Sequence, residues 1–182
     1  VALQGGLDVV EALRRVLAEP GEESRRVLAE AFASDPAAAA EELSRRVGGD
    51  AAPDTCVATV RAEVAVAAVA AAYAAGRRLR LIVPRDPVPG WAPLRGVAAA
   101  AAEAGLADVY EAPLLPGTRL HASAAERRLA RLLRGLSPVC VDVTDAPATA
   151  VLAAYAAGVR CFLYLVDTGY GLVYQRFSAQ RG

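Results

Sequence analysis

An α/β fold is predicted, with a mainly parallel sheet flanked by helices, an N-terminal helical insertion and a C-terminal β-hairpin. Three observations predict it. From residue 50 onward, short β-branched and aliphatic runs alternate with Ala-rich stretches of helical length, the pattern of strands joined by crossover helices. Residues 7–49 carry helical apolar spacing instead, interrupted by turn residues. The last apolar run, 160–166, is followed by Asp167-Thr168-Gly169-Tyr170-Gly171 and a second run, 172–177, which reads as a hairpin. The chain has 182 residues, 55% of them hydrophobic and 22% charged. That balance suits one globular domain over residues 1–182, with 7–49 as an insertion or subdomain within it.

The elements follow in order. Val1-Ala2-Leu3 has the character of a strand end, and Gln4-Gly5-Gly6 is a turn. Val9, Val10, Leu13, Val16 and Leu17 put a helix over 7–19, which Pro20-Gly21 breaks. A second helix covers 22–34, with Val27, Leu28, Ala31 and Phe32 on one side. Asp35-Pro36 starts a third, Asp as cap and Pro in the first turn, and Gly48-Gly49 ends it. Strands are expected at 56–60, 79–83, 109–112, 139–143 and 160–166. The helices between them are expected at 62–75, 94–104, 123–136 and 148–157, with Gly76, Gly105 and Gly158 as stops after three of them.

Charge and composition exclude several functions. Twenty basic and twenty acidic residues cancel, so strong duplex nucleic-acid binding is not expected. The longest apolar stretch, 64–75, is too short for the roughly 20 residues of a membrane span, and no signal peptide is visible. The sequence has no Lys, Asn or Met, and alanine is its commonest residue. GC-rich coding and a hot environment both favour that composition. No lysine is available as Schiff base, general base or phosphate clamp. Cys56, Cys140 and Cys161 form no CxxC pair and no Cys/His cluster, which argues against zinc. Cys140 and Cys161 lie in apolar runs and are expected to be small core residues, with the cytosol as compartment.

In parallel sheets ligands bind outside the carboxyl ends of the strands. The candidate binding residues are therefore Gln4, Gly5 and Gly6, Arg61, Arg85, and the group Thr144, Asp145, Ala146 and Ala148. No GxGxxG and no GxxxxGK[ST] is present, so dinucleotide and P-loop sites are unsupported. The 144–148 segment has two readings: an anion site at a helix start, or Thr144 and Asp145 simply capping that helix. His121, the one histidine, precedes a helix and Ser123; nothing places a carboxylate beside them, and an ordinary loop histidine is the better account. Trp91 is expected to anchor its Pro/Gly-rich loop rather than stack on a ligand base. The paired arginines (Arg14/Arg15, Arg25/Arg26, Arg45/Arg46) are read as solvated faces matched to nearby Glu. Arg127, Arg131 and Arg134 share a helix face, read as solvated or intersubunit.

Three segments carry a family resemblance. Val141-Asp142-Val143-Thr144-Asp145-Ala146-Pro147-Ala148-Thr149, followed by an Ala-rich helix and a Tyr-containing strand, resembles the strand and Thr-Gly-Gly-Phe-Lys-Ala loop of the CRISPR-associated Rossmann-fold (CARF) proteins, in their archaeal ring-nuclease-like branch. Arg61-Ala62-Glu63 is similar to that branch's Ser-Ala-Glu helix start, and residues 1–7 to its first strand and Gly-Thr-Ser-Leu loop. Thr144, Ala62, Glu63 and Leu7 keep the family letters. The loop glycines are replaced by Asp145 and Ala146, the lysine by Ala148, and the two serines by Gly6 and Arg61. The resemblance implies a Rossmann-like fold, a homodimer, and a cyclic oligoadenylate held at the dimer axis by these loops. Without the lysine and serine, no catalytic residue is expected, and the Asp145 carboxylate opposes phosphate. The expected function is a divergent CARF-like sensor or accessory protein of CRISPR defence, in the cytoplasm, with no metal or cofactor. The rivals are an active ring nuclease and a ligand-free structural homodimer.

Overall fold

A computed structural model describes residues 8–49, 54–86, 91–114, 119–168 and 172–178. The described residues open with three helices. In α1 (Val9–Ala18) the Asp8 carboxylate caps the first turn by accepting the Val10 N–H at 3.0 Å, and Val9, Val10, Leu13 and Val16 are buried on one side. After the Pro20-Gly21 break comes α2 (Glu22–Ser34), which opens on Glu22 and Glu23, the sign favoured by the helix dipole. Asp35 then caps α3 (Pro36–Ser44) through the Ala38 N–H at 3.1 Å, with Pro36 in the first turn.

Here one expectation is corrected. Gly48-Gly49 does not close the third helix, which stops at Ser44. Residues Val47–Gly49 form a short strand, β1, parallel to β7 (Leu172–Ser178) in the register Val47↔Leu172. Two glycines give little strand propensity, so the edge pairing, not the local sequence, makes this strand.

The remaining elements alternate. They are β2 (Thr55–Ala58), α4 (Ala62–Ala74), β3 (Leu79–Pro84), α5 (Trp91–Glu103), β4 (Ala107–Ala112), α6 (Arg119–Leu136), β5 (Cys140–Asp142), α7 (Ala148–Ala156), β6 (Cys161–Asp167) and β7. They build one seven-stranded sheet in the order β1-β7-β6-β5-β2-β3-β4. The run from β6 to β4 is wholly parallel, and β7 returns antiparallel to β6. The fold is α/β and Rossmann-like, with the hairpin at its end.

Two starts differ from expectation. Helix α5 begins at Trp91, not near Leu94, because Pro93 is tolerated in a first turn. Helix α6 begins at Arg119, so His121 lies within a helix, not in a loop before it. The glycine stops behave as expected. At Gly76 (φ +69°) and Gly158 (φ +89°) the backbone turns left-handed, which glycine alone adopts freely. The next N–H then bonds back across the helix end, Arg77 to the Ala72 carbonyl and Val159 to the Ala154 carbonyl.

The core lies on both faces of the sheet. On one, α1 to α5 bury Leu28, Phe32, Leu43 and Val66 against Val57, Leu81 and Val83. On the other, α6 and α7 bury Leu129, Leu133 and Ala153 against Cys56, Ile82, Val141 and Phe162. Helix α4 is apolar all round and buried from Ala62 through Ala70, because α3 covers the side that the sheet leaves open. Its alanines permit that close approach. The strand anticipated in residues 1–3 lies outside the described residues.

Cys140 and Cys161 are directly paired across β5 and β6, and they form a disulfide, not two separate core thiols. Sequence reading missed it because 21 positions separate the cysteines, and only the parallel register brings them together.

Candidate functional site

The order of strands fixes where a site belongs. From β2 the chain steps outward to β3 and β4; from β5 it steps the other way to β6 and β7. The crevice between the carboxyl ends of β2 and β5 is therefore the switch point of the sheet, the usual ligand position in open α/β folds.

On the β2 side, buried Thr59 anchors the exit loop. Its N–H donates to the Ile82 carbonyl at 3.2 Å, and its hydroxyl accepts the Arg61 N–H at 3.0 Å. This holds Arg61 extended at the N-cap position just before α4, where no side chain caps the helix. The Arg61 side chain is half-exposed, yet its Nε is buried without a hydrogen-bond partner among the described residues. Its charged neighbours are Glu63 Oε1 at 3.9 Å and Asp145 Oδ2 at 3.7 Å. Both are ion-pair distances rather than hydrogen bonds.

Behind Arg61, Glu63 is buried and accepts a forked contact from Arg25 of α2. Arg25 Nε lies 3.0 Å from Oε2, and Nη2 lies 3.1 Å from Oε1. Arg25 is thus not on a solvated face, unlike Arg15, Arg26 and Arg45, which pair with glutamates three or four positions away. Two guanidinium groups and two carboxylates alternate along the crevice wall and balance in charge.

On the β5 side the loop is a tight turn, with the Ala146 N–H donating to the Val143 carbonyl at 3.2 Å and Asp145 left-handed at φ +48°. Asp145 is exposed and reaches toward Arg61. Neither Thr144 nor Asp145 caps α7; Pro147 holds the cap position, again with no side-chain cap. Thr144 is buried and committed: its Oγ1 accepts the Leu165 N–H at 2.8 Å, and its N–H donates to Asp142 Oδ1 at 2.8 Å. It ties the loop to β6. Ala146 is half-buried, and Ala148 is exposed at the first turn of α7.

Asp142 ends β5 fully buried. Its Oδ2 has no hydrogen-bond partner. The buried Tyr174 hydroxyl is close enough to act on the carboxyl without meeting hydrogen-bond geometry at that oxygen. Burial pushes the Asp142 carboxyl above its ordinary range, against the Thr144 hydrogen bond and the nearby Tyr174 hydroxyl, both of which favour the anion. Burial and the neighbouring Asp142 raise Tyr174 as well.

The structure thus brings Arg61, Thr144, Asp145, Ala146 and Ala148 to one crevice. Arg85 follows β3; its N–H bonds to the Ala112 carbonyl and its guanidinium lies 3.7 Å from Asp86, with no contact to the group. Gln4, Gly5 and Gly6 lie outside the described residues. Trp91 sits in α5 against the core with Arg95 stacked over its ring at 4.6 Å, so it is an anchor on a helix rather than in a loop. Sequence reasoning missed Arg25 and Tyr174, whose partners are far along the chain. For Asp142 a signal existed: one carboxylate in the apolar run Val139-Cys140-Val141-Asp142-Val143. Among the described residues, no cluster of three metal-binding side chains occurs, and no helix is long and apolar enough to cross a membrane.

No family model matches the chain, and no curated protein does. Among solved structures, the translation initiation factor eIF-2B of Pyrococcus horikoshii OT3 is similar, with a TM-score of 0.39 and 11% identity. The match covers 86% of this chain and 56% of that one, so the chain spans little more than half of that protein. A likeness of this strength carries no argument about family or activity.

Proposed function

We propose that this chain is a CARF-like ligand-binding module that takes a phosphate-bearing nucleotide, cyclic oligoadenylate first among them, in the crevice between β2 and β5, and does not cleave it. One observation carries the reading. Arg61 and two helix starts without side-chain caps, those of α4 and α7, meet at the switch point of the sheet. Free N–H groups at a helix start and a nearby guanidinium both favour an anion. The absence of lysine from the whole chain and the engagement of the Thr144 hydroxyl support binding without turnover.

The same reading makes the module a sensor or accessory protein in CRISPR defence, acting as a homodimer. An apolar surface suits that assembly: Leu152 and Tyr155 of α7 and Tyr164 and Phe177 of the hairpin are exposed. Titration with cyclic tetra- and hexa-adenylate, following heat and chromatographed products together, tests the reading. Saturable binding with the ring left intact is expected. Binding with rapid metal-independent cleavage makes the protein a ring nuclease; no heat with either ring leaves the ligand-free structural module.

A further inference from the structure

The β5–α7–β6 crossover carries the candidate loop; β5 pairs with both β2 and β6, and α7 buries Ala150, Ala153 and Ala154 against the sheet. Strand β5 has three residues, with the register Cys140↔Cys161, Val141↔Phe162 and Asp142↔Leu163. At the exit end, Val143 N–H donates to Leu163 and Leu165 N–H to Thr144 Oγ1. At the entry end the Cys140–Cys161 disulfide takes the same role, across a Cα–Cα distance of 4.5 Å. The bond closes a loop with a sequence separation of 21, which contains the whole 143–147 turn and all of α7.

The third cysteine is kept out of this pair. Cys56 packs with Val141 and Phe162 under α6 and α7, whereas Cys140 packs with Leu163 and Tyr174 on the opposite face of the sheet. Cys56 is fully buried, and burial pushes its thiol up to about 11, so it stays an unreactive thiol. Cys140 is buried, but Cys161 is partly exposed. A small reagent therefore has one point of entry, at Cys161.

We propose that Cys140–Cys161 is a redox-operated clasp on this crossover, closed by a small-molecule disulfide of the glutathione class and opened by the corresponding thiol. In closing, the Cys161 thiolate attacks the small disulfide and one small thiol leaves. The Cys140 thiolate then displaces the second from Cys161. Two protein thiols and one small disulfide become one protein disulfide and two small thiols, which carry off both protons. In the closed state the disulfide adds a covalent tie at the entry end; in the open state the β5–β6 ladder, the Thr144 contact and the packing of α7 hold the crossover without it. The consequence for the candidate loop rests on the function proposed above; the clasp itself does not.

Hydrogen exchange read by mass spectrometry on the intact chain tests this, with no ligand added. The protein is equilibrated with oxidised glutathione, then with reduced glutathione, then reoxidised. Alkylation of the folded protein should find Cys161 blocked, free and blocked again, and alkylation after denaturation should find Cys140 the same, with Cys56 free throughout but unlabelled until denaturation. On reduction, exchange over residues 143–160 should rise reversibly and at least tenfold more than over α1 to α5. Removing a loop of this size from the denatured state predicts a rise on the order of 100-fold in the global unfolding constant. Cys140→Ser/Cys161→Ser should match the reduced protein and ignore redox poise, and Cys56→Ser should behave as the native chain. Free thiols at 140 and 161 after oxidation, a bond that resists reduced glutathione in the folded protein, or unchanged exchange over 143–160 would each overturn the proposal. So would global unfolding on reduction, since that marks a structural staple.

Discussion

At the scale of single residues, Asp145 opposes the anion reading most directly. Its carboxylate stands 3.7 Å from the Arg61 guanidinium, so Arg61 already has an internal anion. Its backbone is left-handed at φ +48°, a conformation glycine takes without steric cost. Asp145→Gly should therefore fold normally and free Arg61, tightening phosphate binding by about 1 kcal/mol, as for a partly exposed charge. The gain should shrink as salt is raised. Ala148→Lys restores a cation at an exposed site beside the α7 start; it should raise cleavage of bound cyclic oligoadenylate by about 100-fold over a negligible base, measured by product chromatography. Asp142 yields a pH prediction. Its pKa is raised in the folded state, so the unfolded chain loses this proton first and stability falls as pH rises through the interval between the two values. Asp142→Asn keeps an acceptor for the Thr144 N–H and abolishes the charge. Its stabilisation over the native chain, read by chemical denaturation, should be absent near pH 3 and grow toward neutrality.

At the scale of elements, α2 and α4 are joined by the Arg25–Glu63 pair, in which both side chains are largely shielded from water. Removing one partner strands the other in a buried place. Arg25→Ala should cost about 3 kcal/mol by urea denaturation, and Arg25→Ala with Glu63→Leu should recover most of it. If the single change costs under 0.5 kcal/mol, the pair is solvated in solution. Element boundaries were legible where one local signal decided them: Asp35-Pro36 opening α3, Gly76 and Gly158 closing α4 and α7. They failed where a partner far along the chain decided. Val47–Gly49 is a strand only because β7 lies beside it, and Cys140 and Cys161 bond only because β5 and β6 lie in register. The candidate site divides in the same way. Arg61 and the 144–148 loop were legible as residues following strands. That Asp145 faces Arg61, and that Arg25 backs Glu63, depends on the order of strands and helices, which no local pattern encodes.

For the whole molecule, the alternation of strand and helix was enough to predict the parallel sheet, and the switch point between β2 and β5 follows from its order. The exposed Leu152, Tyr155, Tyr164 and Phe177 bear on assembly. Light scattering at micromolar concentration should give a dimer of about twice the 18.8 kDa chain, and Leu152→Glu with Phe177→Glu should return a folded monomer. Calorimetric titration of cyclic tetra-adenylate into the native chain, Arg61→Ala and Asp145→Gly at low salt shows whether an anion is held at the switch point. Affinity should fall in the order Asp145→Gly, native, Arg61→Ala, with the differences collapsing at high salt. Equal affinities across three folded proteins, or no binding to any of them, would contradict an anion site there.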